Sequence, residues 1–179
     1  MSLALKSPHL QSAASLTQAD NALPLSEAYA EIIPHGLLRG QVVVCHGVAA
    51  YSIALGLVER AVTVGSWLAV VDLEQVSPEA IAEFGIPLHR VIGVTTGDDP
   101  ANVLSAVFDG FDVVLIPAYR YRGALARRIS QRIRAKGVTL IVIDDADEVG
   151  VRDAVSLGDV ALIGSCLLYT SDAADDDAC

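Results

Sequence analysis

The chain has 179 residues, 53% of them apolar, a formal net charge of −10 and three cysteines. That length allows one domain with a full hydrophobic core. The acidity argues against a general nucleic-acid binder, and the apolar runs fall far short of the ~18 residues needed to span a bilayer. The N-terminus has one lysine, Pro8 and no continuous apolar stretch, so it does not read as a signal peptide and the protein is expected in the cytoplasm.

Residues 1–24 are rich in Ser, Ala, Gln and Asn without a period and are expected to form a mobile arm. From Leu25 the pattern turns regular. Residues 26–40 lead through Pro34, Gly36 and Gly40 into a first buried strand, QVVVCHG (41–47). A helix over 52–65 follows, with Ile53, Leu57, Val58 and Val62 on one face and Gly65 as its stop. SWLAVVDLE (66–74) reads as the second strand, with Trp67 expected in the core. A short helix over 77–86 has Ser77 as its N-cap, Pro78 in its first turn and Gly85 at its end. RVIGVT (90–95) reads as the third strand. Residues 100–111 form a helix carrying Val103, Leu104, Val107 and Phe108 inward, and DVVLIPA (112–118) the fourth strand. The longest helix spans 121–137, VTLIVIDDA (138–146) makes a fifth strand, and DVALIGS opens a sixth. Strands alternating with helices over short connections predict an α/β domain, a doubly wound and mostly parallel sheet with helices on both faces.

The last stretch breaks this pattern. CLLYTSDAAD (166–175) resembles a translated transposase sequencing adapter, so residues 166–179 are read as an artefact and the natural chain is expected to continue past residue 165. Setting aside Asp172, Asp175, Asp176 and Asp177 moves the charge from −10 to −6. It also leaves Cys45 as the one cysteine, which implies no disulfide framework and a reducing compartment.

GLLRGQVVVCHGVAAYSIAL (36–55) resembles the entry to the ATP-binding core of RecA-type recombinases. The order of elements that follows strengthens the likeness: GSWLAVVDLEQVSPEAIAEFGIPLHRVIGV (65–94), GFDVVLIPA (110–118), a long helix and VTLIVIDDA. The resemblance covers about residues 26–146 and implies a RecA-like, P-loop NTPase-like fold for residues 25–165. A working phosphate loop needs glycines that turn backbone N–H groups toward phosphate, a lysine for the β- and γ-phosphates and a hydroxyl for Mg²⁺. In GVAAYSIA (47–54) only Gly47 fits; Ser52 stands at the second glycine position, Ile53 at the lysine and Ala54 at the hydroxyl. Each charge-assisted hydrogen bond contributes roughly 1.5–3 kcal/mol, so losing the lysine weakens phosphate binding by at least about two orders of magnitude. The aspartate that would end the second metal-site strand is replaced by Pro117. Glu74, with Asp72 beside it, stands where active relatives carry a glutamate that orients the attacking water. These departures imply a vestigial nucleotide site, no ATP hydrolysis and no cofactor.

Cys45 and His46 end the first strand and read as a core cysteine and a loop histidine, with no metal partner at ligand spacing. Asp144, Asp145, Asp147 and Glu148 read as a solvated loop rather than a Mg²⁺ site. Tyr51, in the degenerate loop, is placed to plug the vacant cleft. Seven of the twelve basic residues lie between 120 and 136. Of these, Arg127, Arg128, Arg132 and Arg134 are candidates for a partner or weak nucleic-acid surface, set against an ordinary solvated helix face. Tyr119 and Tyr121 are the nearby aromatics.

Among RecA relatives with a broken phosphate loop, the chain resembles the ImuA-type accessory proteins of bacterial mutagenic repair. That likeness implies a non-catalytic adaptor in SOS-type translesion synthesis, with DNA polymerase accessory proteins as partners and no membrane association. The alternatives are a SulA-type cell-division inhibitor, which shares the degenerate fold, and a cryptic ATP-binding protein.

Overall fold

The computed structural model describes residues 21–145 and 158–164. Two short strands come first, β1 (Ala22–Leu23) and β2 (Leu37–Leu38), paired antiparallel around the single-turn helix α1 (Glu27–Ala30). The main sheet then begins with β3 (Val42–His46), followed by α2 (Ala50–Thr63), β4 (Leu68–Val71), α3 (Pro78–Glu83), β5 (Val91–Val94) and α4 (Pro100–Gly110). It continues with β6 (Val113–Pro117), α5 (Gly123–Lys136), β7 (Thr139–Asp144) and β8 (Val160–Ile163). All six of its strands run parallel, in the order β5-β4-β6-β7-β3-β8. With helices on both faces, this is the doubly wound α/β architecture of RecA-like proteins.

Alternation along the strands divides the core into two halves, because successive side chains point to opposite faces. Val43, Cys45, Leu68, Val70, Leu115 and Ile141 meet α2 and α3. Val42, Val44, Ala69, Val71, Val114, Ile116 and Leu140 meet α4 and α5. Both faces are covered, which is why the strands read as unbroken Val/Ile/Leu runs. In α4, Leu104, Val107 and Phe108 are buried with Val103 packed beside them; in α5, Ile129 and Ile133 are buried and Leu125 is half-buried.

Local chemistry sets the helix ends. Ser77 Oγ accepts the Ala80 N–H at 3.2 Å with Pro78 behind it, and Asp99 accepts the Asn102 N–H ahead of Pro100. Gly137, at φ 68, closes α5 in the left-handed conformation. Within α2, Gly56 lies against the Tyr29 ring, and a Cβ there would collide with it.

Three placements differ from the sequence reading. Trp67 is 39% exposed rather than buried; it precedes β4 at the solvent-facing entry to the sheet, and the Arg90 guanidinium stacks 5.1 Å from its ring centroid. His46 belongs to β3 rather than to a loop and is 1% exposed, because its register partner Asp144 extends the β3–β7 ladder by one more pair. The order of strands, which sequence spacing leaves open, puts β7 between β3 and β6. Ala22 and Leu23, read as the end of an arm, pair instead with Leu38 and Leu37.

Candidate functional site

The chain leaves β4 toward the α3 face and its neighbour β6 toward the α5 face. Where adjacent parallel strands send their exits to opposite faces, a crevice opens beyond their carboxyl ends, and ligands of doubly wound sheets bind there. Here the crevice has a volume of about 500 Å³ and is bounded by Tyr51, Glu74, Tyr119, Arg122 and Asp145, with Asp72 and Arg120 at its base.

At its β3 end the connection that the sequence aligns with a phosphate loop is short. Helix α2 starts at Ala50, so only Gly47, Val48 and Ala49 separate it from β3. The positions of the expected glycine, lysine and hydroxyl therefore lie within the first turns of a helix. Ser52 faces solvent, Ile53 packs against the core and Ala54 is buried in it. The Gly47 N–H donates to the Asp144 carbonyl at 2.9 Å, which removes one donor that a phosphate would need. Gly47 itself, at φ 93, sits so close to the Gly164 carbonyl that any Cβ would strike it. The end of β8 thus lies over the loop, held there by the Gly164 N–H donating to the His46 carbonyl.

At the β4 end the polar groups form a closed set. Asp72 takes a positive φ of 50°, a conformation that aspartate tolerates. Its carboxylate accepts the Thr96 N–H at 2.9 Å, the Thr96 hydroxyl at 2.5 Å and the Arg120 Nε–H at 2.8 Å. Burial pushes the carboxyl up, but the Thr96 hydrogen bonds and the Arg120 charge outweigh it and hold Asp72 below its ordinary range. The Tyr119 hydroxyl donates to the Asp72 carbonyl, and the Arg120 guanidinium lies over the Tyr119 ring. Glu74, by contrast, is exposed at the rim. The acidic residue fixed in the crevice is Asp72, and Pro117 ends β6 without a carboxylate. The link between Asp72 and Arg120 spans 48 residues and has no local signature in the sequence.

Tyr51 reaches across the crevice and its hydroxyl donates to Asp145 at 3.3 Å. Burial, then the Asp145 charge, pushes the phenol up, so it stays a neutral donor. His46 Nδ1 lies 3.1 Å from Asp144 Oδ2, and among the described residues its Nε2 has no partner. Burial pushes the Cys45 thiol up to about 12, which denies it the thiolate that metal binding or nucleophilic attack requires. Among the described residues no three His, Cys, Asp or Glu side chains gather as a metal site; Asp147 and Glu148 lie outside those residues. No helix among them is long and apolar enough to cross a membrane.

The basic helix divides in two. Arg132 and Lys136 both pair with Asp109, at 2.8 and 3.0 Å, and Arg134 pairs with Asp159 at 3.1 Å. Arg127 and Arg128, nearer the crevice, are exposed and make no ion pair among the described residues. Of the two nearby aromatics only Tyr119 is available, at 57% exposed; Tyr121 is buried and hydrogen-bonded to Ser130.

The parallel doubly wound sheet with its crevice at the strand ends places the chain among α/β domains and is consistent with a RecA-like fold. Residues 31–148 match the MT3502 N-terminal domain, and the chain belongs to that family. No curated protein matches the chain.

Proposed function

We propose that this protein is a non-catalytic, RecA-like adaptor in SOS-type mutagenic DNA repair. In this reading it works in the cytoplasm through contacts with DNA polymerase accessory proteins, as the ImuA-type factors it resembles do. The observation that carries the non-catalytic part is the three-residue connection between β3 and α2, with the Gly164 carbonyl lying against Gly47. A phosphate loop needs room to curve its N–H groups around an anion, and this backbone has none. The paired state of Asp72 and the proline at the end of β6 support the same reading. The repair setting rests on the likeness of residues 36–55 and of the element order to RecA-type recombinases, among whose relatives with a broken phosphate loop the chain resembles the ImuA-type proteins.

The test is a calorimetric titration of Mg-ATP into the folded protein, paired with pull-downs of polymerase accessory proteins. The expected result is no heat up to millimolar nucleotide and recovery of those partners. Saturation in the micromolar range would reopen the protein as an enzyme. Recovery of the tubulin-like division GTPase instead would favour the SulA-type reading.

A further inference from the structure

Strand β5 is an edge of the sheet, paired among the described residues to β4 alone. Its Val94 carbonyl accepts the Asp72 N–H, so alternate residues Ile92 and Val94 turn their backbone groups toward β4. Gly93 and Thr95 therefore turn theirs outward. The edge lacks the usual protection: β5 carries no charge and no proline, and Ile92 is 44% exposed on it. On the α3 face, beside Gly93, lies a groove of about 350 Å³ floored by Val70, Leu73 and Ile81. It is open because Gly93 contributes no side chain: a Cβ built there meets nothing within 4 Å. The lining holds two charged residues, both acidic. Asp72 is satisfied by Thr96 and Arg120, whereas Glu74 is exposed and has no ion-pair or side-chain hydrogen-bond partner among the described residues.

We infer that this edge docks an extended segment of a partner protein, with one large apolar side chain in the groove and a lysine or arginine at Glu74. The added strand would hydrogen-bond to the outward groups of Gly93 and Thr95. Its side chain beside Gly93 would enter the groove, where that glycine leaves space. Side chains two residues apart share a face, so a basic residue two positions from the apolar one reaches the Thr95–Glu74 end of the groove. The segment thus pairs an apolar and a basic residue separated by a single residue, and their order along the chain reports whether it runs parallel or antiparallel to β5. The acid-only lining favours this partner over an acidic one. The inference builds on the adaptor reading but fails separately, since nucleotide binding concerns the β3 end of the crevice.

The experiment uses fluorescent ten-residue peptides with Phe and Arg separated by one residue, in both orders, in a Ser/Thr/Val host. Binding to the full chain is followed by anisotropy, with Phe→Ala and Arg→Glu peptides as controls. One order is expected to bind. Gly93→Val, whose side chain enters open space and keeps the fold, should weaken it about thirtyfold by filling the groove. Glu74→Lys should weaken it about fivefold and restore binding of the Arg→Glu peptide. Absence of binding by both orders at millimolar peptide overturns the proposal, as does binding that ignores both substitutions. Self-association of the chain through this edge, abolished by Gly93→Val and unaffected by peptide, would assign the groove to a second copy instead.

Discussion

At the β3 end of the crevice the backbone fills the space, whereas at the β4 and β6 end the space stays open and its polar groups are paired with one another. Gly47 and Gly164 touch main chain to main chain. Asp72, Thr96, Arg120 and Tyr119 touch through side chains and a single carbonyl. The first kind of closure is set by the path of two strands and cannot be undone by changing one side chain. The second can be, because each partner is an independent group with its own charge. The close packing at Gly47 is therefore fixed in this fold, while the electrostatics of the neighbouring cleft remain adjustable.

The sharpest way to break that contrast is Gly47→Val. The new side chain would force a β-branched residue into a left-handed conformation and strike the Gly164 carbonyl. A loss of about 3 kcal/mol in urea unfolding is expected. If stability is unchanged, β8 does not lie over the loop. Asp72→Asn removes the charge but keeps the shape, and should cost about 2 kcal/mol, since hydrogen bonds to ionised groups are the stronger ones. The pH dependence follows from the lowered value of Asp72. Its contribution is complete above the unfolded carboxyl value of about 3.9 and disappears as pH falls through the lower folded value. Wild type should lose this increment below about pH 4, and Asp72→Asn should show a shallower acid limb over the same window; parallel limbs would remove Asp72 from the account. The smallest effect is expected at Arg134→Ala, where the pair with Asp159 is largely exposed: under about 0.5 kcal/mol, measured in the same unfolding experiment.

The sheet was legible because its strands are buried on both faces and so announce themselves as apolar runs such as VVLIP and TLIVID. Helix α3 was legible through Ser77 and Pro78, whose cap chemistry is local. The start of α2 was less so: Ala49 at its N-cap makes no side-chain bond, so nothing in VAAYS marks the turn where the helix begins. That missing signal matters, because the early start is what shortens the loop. Ile53 and Pro117 are plain in the sequence at the positions where the resemblance would put a lysine and an aspartate. The Asp72–Arg120 pair, the strand order and the vacancy at Gly93 depend on contacts between distant segments, which periodicity does not encode. Trp67 misled because a large aromatic beside a buried strand usually packs inward, and here a cation lies over its ring.

The contact of Tyr29 with Gly56 bears on how this domain is to be handled. The family match begins at residue 31, two positions beyond that tyrosine. A fragment cut at the family boundary would keep the notch in α2 and discard the ring that occupies it, leaving a slot in a helix otherwise committed to the core. The working unit is therefore longer than the family match. Its first turn of helix acts as a key whose removal would loosen the lock from the side opposite the crevice's basic helix.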